Sequence, residues 1–244
     1  MNNHFVFVCP IYNASKTIER LLHSLFGQSH EDWSIILIDD VSSDDHVLDT
    51  QNSITKFCDF YDNATHKIVT HYNKVKKWEV ANVLYGIEEC RDDDIICRID
   101  GDDYLTDLDA LTIIDAAYQQ IKCDVLWSAH RWGFTDHNIS GPMSKGSDPY
   151  KHPWVSSHLK TFRKKLINDI KDENFRGEDN EYIKRCGDQA IYLPILHSAK
   201  NHFFLPRVMY HYTIKTDDPG IFQTTDAKFQ KSEAEFIRAR GFIK

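Results

Sequence analysis

Apolar runs and segments of helical periodicity alternate along the first half of the chain. Runs rich in β-branched and aromatic residues, typical of buried strands, lie at residues 5–9, 33–38, 67–70 and 95–99. Apolar residues recur every three or four positions, as in helices, within residues 18–26, 47–58, 81–87 and 108–118. This alternation predicts an α/β fold with a mostly parallel central sheet flanked by helices.

The second half has a weaker pattern. We expect a strand at 124–132, a loop at 133–157, helices at 159–170 and 189–199, an extended segment at 203–212 and a terminal helix at 227–240. Neither a linker nor an internal repeat interrupts the 244 residues, so a single domain is expected.

Charge and hydropathy argue against several classes of protein. The formal charge is 29 − 37 = −8, so the chain lacks the global basic field typical of nucleic-acid-binding proteins. No apolar run approaches the roughly 20 residues that a membrane helix needs. The N-terminus shows no secretory signal pattern, and the six cysteines include no Cys-x-x-Cys pair. We therefore expect a cytoplasmic protein with reduced thiols and no membrane span.

Carboxylates follow two of the predicted strands directly. Asp39 and Asp40 end the second apolar run, and Asp100, Asp102 and Asp103 follow the fourth. In open α/β sheets, ligands bind beyond the carboxyl ends of the strands, so both groups should face one crevice. Asp100 and Asp102 can both reach a divalent cation, and hard oxygen ligands suit Mg²⁺ or Mn²⁺. An acidic turn without a metal is the simpler alternative for such a pair.

Three segments resemble the signatures of family 2 glycosyltransferases, which have the GT-A fold, a Rossmann-like α/β architecture. They occur in the family's order at residues 8–13, 35–45 and 98–105. The resemblance covers roughly residues 4–215. It implies a nucleotide-sugar-binding half at 1–106, an acceptor-binding half at 107–215 and a C-terminal helical extension at 216–244.

The resemblance implies a role for each matched residue of the first half. The nucleotide base would lie against Pro10, Tyr12 and Asn13, with Asp39 and Asp40 holding the base and ribose. Asp100 and Gly101 would contact the ribose or sugar, and Asp102 would bind the metal together with Asp100. The segment beside the donor would contribute Asn82 and a lysine that offsets the diphosphate charge, either Lys76 or Lys77.

The second half resembles one branch of the family, which includes phage-borne enzymes. In that branch the carboxylate before Gln-Ala is the general base, which points to Asp188 here. Asp179 is a rival, because many relatives carry the base in a Glu-Asp pair. His211 is a candidate third metal ligand, and Trp154 and His158 are candidates to touch the donor sugar or acceptor.

The implied reaction is transfer of a sugar from a nucleotide diphosphate donor, with UDP-sugars favoured, to an acceptor hydroxyl with inversion, dependent on Mn²⁺ or Mg²⁺. Two other classes stay open: a nucleotidyltransferase, although residues 10–17 lack a Gly-rich phosphate loop, and a non-catalytic nucleotide-sugar binder.

The acceptor is left open among a glycan, a protein and a modified nucleic acid such as a hydroxymethylated DNA base. Trp127 and Trp132 are candidates to stack bases, although core positions explain them more simply. The candidates for a phosphate-binding strip, which solvated helix faces explain more simply, are Lys160, Arg163, Lys164, Lys165, Arg238, Arg240 and Lys244.

Overall fold

The fold is built on one twisted sheet. The computed structural model describes residues 2–214 and 225–244. In these ranges, eight strands form the sheet in the order β3-β2-β1-β4-β7-β6-β8-β5. The strands are β1 (Phe5–Ile11), β2 (Trp33–Asp39), β3 (Ile68–Tyr72), β4 (Ile95–Arg98), β5 (Tyr104–Leu105), β6 (Val125–Trp132), β7 (Lys160–Arg163) and β8 (His202–Tyr212).

Helices cover both faces of the sheet. They are α1 (Ile18–Phe26), α2 (Asp44–Phe60), α3 (Ala64–Lys67), α4 (Trp78–Glu88), α5 (Ala110–Ile121), α6 (Gly187–Ser198) and α7 (Thr225–Arg240). Short 3₁₀ segments lie at Lys164–Asp169 and Asp172–Phe175. In the described ranges, no helix combines the length and the apolar character needed to cross a membrane.

The sheet is mostly parallel, as the alternating pattern predicts. The pairs β1–β2, β1–β4, β2–β3 and β6–β8 are parallel. Among the strands of the described ranges, β7 and β5 are the two that run against their neighbours. The α/β sheet flanked by helices is confirmed.

Two apolar layers explain why the central strands are continuous hydrophobic runs. Along β1, Phe5, Phe7 and Cys9 point into the layer beneath α1, α2 and α5. Val6 and Val8 point into the opposite layer, which α4 and α6 cover. A strand buried on both faces needs apolar residues at every position rather than at alternate ones.

The structure corrects one predicted element. Residues 159–170 were expected to form a helix, but Lys160–Arg163 is a strand and a 3₁₀ segment follows it. The strand is inserted antiparallel between β4 and β6, whose backbone groups it satisfies. Pairing with partners distant in sequence overrides the local helical pattern here. The expected terminal helix is confirmed as α7, whereas the division at residues 215 and 216 lies outside the described residues.

The parallel strands bring the predicted motifs to one edge. Ile11 at the end of β1 pairs in register with Asp39 at the end of β2, and Val8 pairs with Arg98 at the end of β4. The residues after these strands therefore share one crevice, as expected for the carboxyl edge of a parallel sheet.

We predict that Gly86→Ala destabilises the fold. A Cβ at this position of α4 would lie 2.7 Å from Val8 Cγ1 and 3.0 Å from Ile38 Cδ1, so the helix would have to move off the sheet. Overpacking typically costs about 1–3 kcal/mol, more than the roughly 1 kcal/mol that Ala gains over Gly in a helix. Urea unfolding should show a net loss of about 1 kcal/mol. Gly141→Ala is the control, because its Cβ would meet nothing closer than 4.0 Å; equal stability of the two variants would contradict this packing.

Candidate active site

A cavity of about 270 Å³ opens at the carboxyl ends of β1, β2 and β4, beside the start of α4. Five of the residues predicted to bind the nucleotide sugar line it: Pro10, Tyr12, Asp40, Asn82 and Asp100. Residues without a firm prediction also line it, among them Lys76, Trp78, Glu79, Lys184 and Arg185. The motifs of the first half thus meet at one concave site, which basic side chains also line.

Asp40 fixes the start of α4. Its carboxylate accepts hydrogen bonds from the backbone N–H of Lys77 at 2.8 Å and of Trp78 at 2.9 Å. The Asn73 side-chain amide donates a third bond at 3.0 Å. Burial would raise the pKa of Asp40, but these donors outweigh it and lower the pKa. The carboxylate is therefore ionised and holds the backbone at the start of α4 in place.

Asp39 and Asn13 also hold loops together. Asp39 Oδ1 accepts the Ser42 N–H at 2.9 Å, and Asn13 Oδ1 accepts the Ser43 N–H at 3.1 Å. Neither residue is among those that line the cavity. These hydrogen bonds stabilise the loops after β1 and β2, and the contacts with the nucleotide that the resemblance assigns to both residues stay a prediction.

Gly101 lets two strand ends approach each other. A Cβ there would lie 2.7 Å from Ile11 Cγ2, and its carbonyl accepts the Thr17 hydroxyl at 2.8 Å. The next carbonyl, that of Asp102, accepts the Arg20 guanidinium at 2.7 Å and the Thr213 hydroxyl at 2.5 Å. The acidic turn is thus anchored by its backbone. The Asp100 side chain lines the cavity, whereas that of Asp103 is buried.

Cations and aromatic rings alternate along the cavity wall. The Lys76 ammonium lies 3.4 Å from the centroid of the Tyr12 ring and 5.2 Å from that of Trp78. The Arg185 guanidinium lies 4.3 Å from the centroid of Trp78. Lys77 instead lines a neighbouring cavity. Of the two predicted lysines, Lys76 is the one whose side chain borders the site.

A buried arginine connects the two halves of the site. Arg98, 3% exposed at the end of β4, donates two hydrogen bonds to Asp100, at 2.9 and 2.7 Å. The same guanidinium binds Glu79 of α4 and lies 3.7 Å from Asp188 of α6. Three carboxylates from different elements are therefore held around one positive charge.

Lys160 supplies the second buried cation. It is 1% exposed, and its ammonium donates a hydrogen bond to Asp188 Oδ1. Burial would raise the pKa of Asp188, but the charges of Lys160 and Arg98 outweigh it and hold this pKa well below the ordinary value. Asp188 is consequently ionised at neutral pH.

Glu79 occupies the space above Gly187. A Cβ at Gly187 would lie 2.2 Å from the Glu79 carboxyl carbon, so a larger residue at this helix start would displace the Glu79 carboxylate. Burial raises the pKa of Glu79 to about 7, although Arg98 opposes the shift, while the nearby charges of Asp188 and Asp100 add to it. Glu79 is thus the carboxyl of this network that gains a proton near neutral pH.

One group of three side chains in the described ranges has the spacing of a metal site. One ligand atom each from Asp100, Asp103 and His158 lies within 4.8 Å of the others. The His158 Nδ1 atom is buried and has no hydrogen-bond partner. Burial lowers the pKa of His158 strongly, so its ring is neutral, which is the form that binds metals. Two carboxylates and one imidazole fit Mn²⁺ and, less well, Mg²⁺.

Asp103 is the most buried carboxylate of this group. It accepts the Tyr210 hydroxyl and the Thr213 N–H, both at 2.7 Å. Burial and the charge of Asp100 raise its pKa to about 8. A divalent cation would offset the repulsion between the two carboxylates.

The predicted metal ligand His211 and the predicted sugar- or acceptor-contacting residue Trp154 lie outside this group. His211 stacks on Tyr104 with 4.4 Å between ring centroids, whereas its neighbours Tyr210 and Tyr212 stack on His158 from the other face of β8. Because successive residues of a strand point to opposite faces, His211 cannot share the His158 site. Trp154 is half-buried, with Lys160 Nζ 5.7 Å from its ring centroid.

Asp179 lies on an exposed turn. Its Oδ1 accepts the Glu181 N–H at 3.0 Å, and its nearest cation is Lys184 at 3.9 Å. It is not among the residues that line the cavity. Of the two candidate bases, Asp188 is the one that the structure places beside Arg98 and Asp100.

The candidate phosphate-binding strip does not form. Lys160 binds Asp188, Arg163 binds the Cys123 carbonyl, and Lys164 binds Asp92. Arg238 and Arg240 are likewise engaged, with the carbonyls of Tyr150 and Asn174 among their partners. Trp127 is fully buried and donates to the Gly141 carbonyl. The core position is confirmed for Trp127. Solvated helix faces are the wrong explanation for Lys160, which is buried on β7, and most of these cations hold the fold together.

Glu79, Lys184 and Arg185 were not predicted as site residues from the sequence, and Arg98 was assigned no role. For Arg98 a signal existed, because a charge inside the apolar run 95–99 requires a buried partner. Glu79, Lys184 and Arg185 lie in segments of ordinary surface composition. Only the packing of α4 against α6 reveals that they face the site.

The glycosyl transferase family 2 model matches residues 6–171, so the chain belongs to that family. No curated protein sequence matches it significantly. Among solved structures, the 1–349 fragment of S. aureus TarS superposes with a TM-score of 0.66 at 18% identity, over 86% of this chain and 60% of that one.

The same TarS fragment in complex with UDP-GlcNAc gives a TM-score of 0.61 at 18% identity, over 88% of this chain and 60% of that one. The mannosyltransferase PcManGT from Pyrobaculum calidifontis, in complex with GDP-Man and Mn²⁺, gives a TM-score of 0.58 at 11% identity, over 88% of this chain and 58% of that one. At 11–18% sequence identity these superpositions show a similar fold and nothing further. The chain spans about 60% of the first TarS fragment.

We predict that Glu79→Gln changes how stability depends on pH. Because the folded chain binds the Glu79 proton more tightly than the unfolded chain, this group lowers the free energy of unfolding as the pH rises from 4.5 to about 7. Gln mimics the protonated form, so wild type and variant should match near pH 5, and the variant should be the more stable near pH 8. Urea unfolding at both pH values measures this, and parallel pH dependence would refute the assignment.

Proposed function

We propose that this chain transfers a sugar from a nucleotide diphosphate donor to an acceptor hydroxyl, with inversion at the anomeric carbon. One observation carries the proposal. Arg98 holds Asp100, which lines the nucleotide cavity, and Asp188, the candidate base, on the same guanidinium. The residue proposed to contact the donor and the residue proposed to activate the acceptor therefore lie at one point of the crevice.

The cavity has the features that a nucleotide diphosphate needs. Tyr12 and Trp78 offer ring faces on which the base of the nucleotide can stack. Lys76, Lys184 and Arg185 offer positive charge to the diphosphate. UDP-sugars are the favoured donors, and the TarS fragment in complex with UDP-GlcNAc has a similar fold. Binding here would hold the anomeric carbon near Asp188.

Asp188 would accept the proton of the acceptor hydroxyl. The hydroxyl oxygen bonds to the anomeric carbon while the bond from that carbon to the diphosphate breaks, and the hydroxyl proton passes to the carboxylate. Lys160 and Arg98 make Asp188 a weak base. The proton would therefore pass to Asp188 late in the reaction, once bonding of the oxygen to the anomeric carbon has made the hydroxyl proton strongly acidic.

A divalent cation, Mn²⁺ or Mg²⁺, would supply Lewis-acid stabilisation of the leaving diphosphate. Asp100 belongs both to the motif pair with Asp102 and to the spatial group with Asp103 and His158, so we assign it first as a ligand. The proposal covers three classes of acceptor: a glycan, a protein and a modified nucleic acid.

We predict that Asp188→Asn lowers donor hydrolysis by about 100-fold or more, the usual contribution of a general base. UDP binding should change little, since the nucleotide cavity is lined by other residues. UDP release from a panel of UDP-sugars with Mn²⁺, and calorimetry with UDP, measure the two effects. Asp179→Asn is the control; loss of hydrolysis in that variant, with Asp188→Asn active, would make Asp179 the base.

We predict that Arg185→Ala weakens UDP binding about tenfold, the value of one charge-assisted hydrogen bond. Arg207→Ala is the matched control, because Arg207 is paired with Asp107 and does not line the cavity. Calorimetry with UDP in the presence of Mn²⁺ separates them. Equal affinities of the two variants would remove Arg185 from the donor site.

A further inference from the structure

The C-terminal helix α7 reaches the segment that leads to the candidate base. The Glu233 carboxylate accepts hydrogen bonds from three consecutive backbone N–H groups: Lys184 at 3.0 Å, Arg185 at 2.8 Å and Cys186 at 2.9 Å. We call these three hydrogen bonds the Glu233 clamp. Successive N–H groups that converge form a concavity for an anion, and here the side chain of a distant helix supplies that anion.

The Glu233 clamp takes the place of a local cap at the start of α6. Cys186 directly precedes this helix and makes no capping hydrogen bond with its side chain. Backbone N–H groups at a helix start need an acceptor, which the side chain of Ser, Thr, Asp or Asn usually supplies. Without Glu233, water would have to satisfy the three N–H groups, and the entry of the chain into α6 would lose its anchor.

The clamped residues join the two parts of the candidate site. Lys184 and Arg185 line the nucleotide cavity, and the Arg185 guanidinium lies 4.3 Å from the centroid of the Trp78 ring. Asp188, the candidate base, follows Cys186 by two residues in the first turn of α6. One carboxylate therefore fixes the backbone that carries both the donor-side cations and the candidate base.

A second contact from α7 holds the chain on the other side of Asp188. The Arg238 guanidinium donates a hydrogen bond to the Gln189 side-chain carbonyl at 2.7 Å. It also donates to two backbone carbonyls of the loop between β6 and β7. Ile237, the residue before Arg238, is fully buried in the apolar layer on this face of the sheet, so α7 itself has a fixed position.

The site side of the segment is also constrained. The Glu79 carboxyl group fills the space above Gly187. Asp188 accepts a hydrogen bond from Lys160 and lies 3.7 Å from Arg98. A shift of the segment away from α7 would therefore change the position of Asp188 relative to both buried cations.

We propose that Glu233 is a positioning residue, which fixes the donor-side cations and the candidate base relative to each other by binding the backbone between them. The inference rests on the proposed function and adds to it a residue outside the nucleotide cavity. Glu233 is half-buried on α7 and is not among the residues that line that cavity.

Glu233→Gln tests the Glu233 clamp directly. The variant keeps the size of the side chain but replaces one acceptor oxygen by an NH₂ group, which cannot accept a hydrogen bond from an N–H. Because the three bonds use both carboxylate oxygens, at least one of them is lost. Hydrogen exchange should show the amides of residues 184–186 exchanging about tenfold faster than in wild type, the value of one hydrogen bond to a charged group.

The kinetic effect of Glu233→Gln should fall on both parts of the site. UDP binding should weaken about tenfold, because Lys184 and Arg185 must then be ordered as the ligand binds. Turnover of donor hydrolysis should fall about tenfold or more, because Asp188 is held less well in its reactive position. Calorimetry with UDP and Mn²⁺ measures the first effect, and UDP release from the UDP-sugar that wild type hydrolyses fastest measures the second.

Two variants of the same helix separate positioning from a general loss of stability. Glu235→Gln removes the same charge from an exposed residue that pairs with Lys231 at 3.8 Å. Ile237→Val removes a buried methyl group and should lower the urea midpoint of unfolding. Both variants should keep wild-type UDP affinity, turnover and exchange of the amides of residues 184–186 under conditions in which every variant is folded.

Two results would overturn the positioning role. One is exchange of these amides at the wild-type rate in Glu233→Gln, and the other is UDP affinity and turnover of Glu233→Gln that match those of Ile237→Val. If wild type hydrolyses a UDP-sugar, either result contradicts the role of Glu233 alone. A wild type that neither binds UDP nor hydrolyses any UDP-sugar would instead contradict the proposed glycosyl transfer, and with it the kinetic role of Glu233, whereas the exchange rates would still decide the Glu233 clamp.

Discussion

The buried charge of Arg98 is the constraint around which the site is arranged. A guanidinium at the end of an inner strand loses its hydration and must be compensated by carboxylates nearby. Three elements provide them: Asp100 from the turn after β4, Glu79 from α4 and Asp188 from α6. The helices on this face of the sheet therefore cannot shift without exposing an unpaired charge.

Lys160 offsets the excess negative charge that this arrangement would otherwise carry. With Glu79 ionised, three carboxylates face Arg98 alone, and the second ammonium brings the group closer to neutrality. Because the pKa of Glu79 is raised to about 7, its proton can make up the remaining difference. These five groups therefore sum to nearly zero and contribute little to the net charge of −8.

The donor side is stabilised by hydrogen bonds rather than by ion pairs. Asp40 binds the N–H groups that start α4, and Asn13 and Asp39 tie together the loops after β1 and β2. Polar residues predicted to touch a nucleotide thus also fix the backbone around it. Such support keeps a site in its binding geometry, so less ordering is required when a ligand enters.

The sequence by itself determined the α/β sheet and the edge at which Asp40 and Asp100 meet, because apolar runs and the carboxylates that follow them are local signals. Tyr12 as a binding residue and Asp188 as a candidate base came from the resemblance to family 2 glycosyltransferases. Only the tertiary structure showed that Lys160 lies on a strand rather than a helix, and that it binds Asp188. It also brought Asp103 and His158 to Asp100, and turned His211 to the opposite face of β8. These contacts join residues far apart in the chain, so they depend on strand insertion and helix packing, which no local pattern specifies.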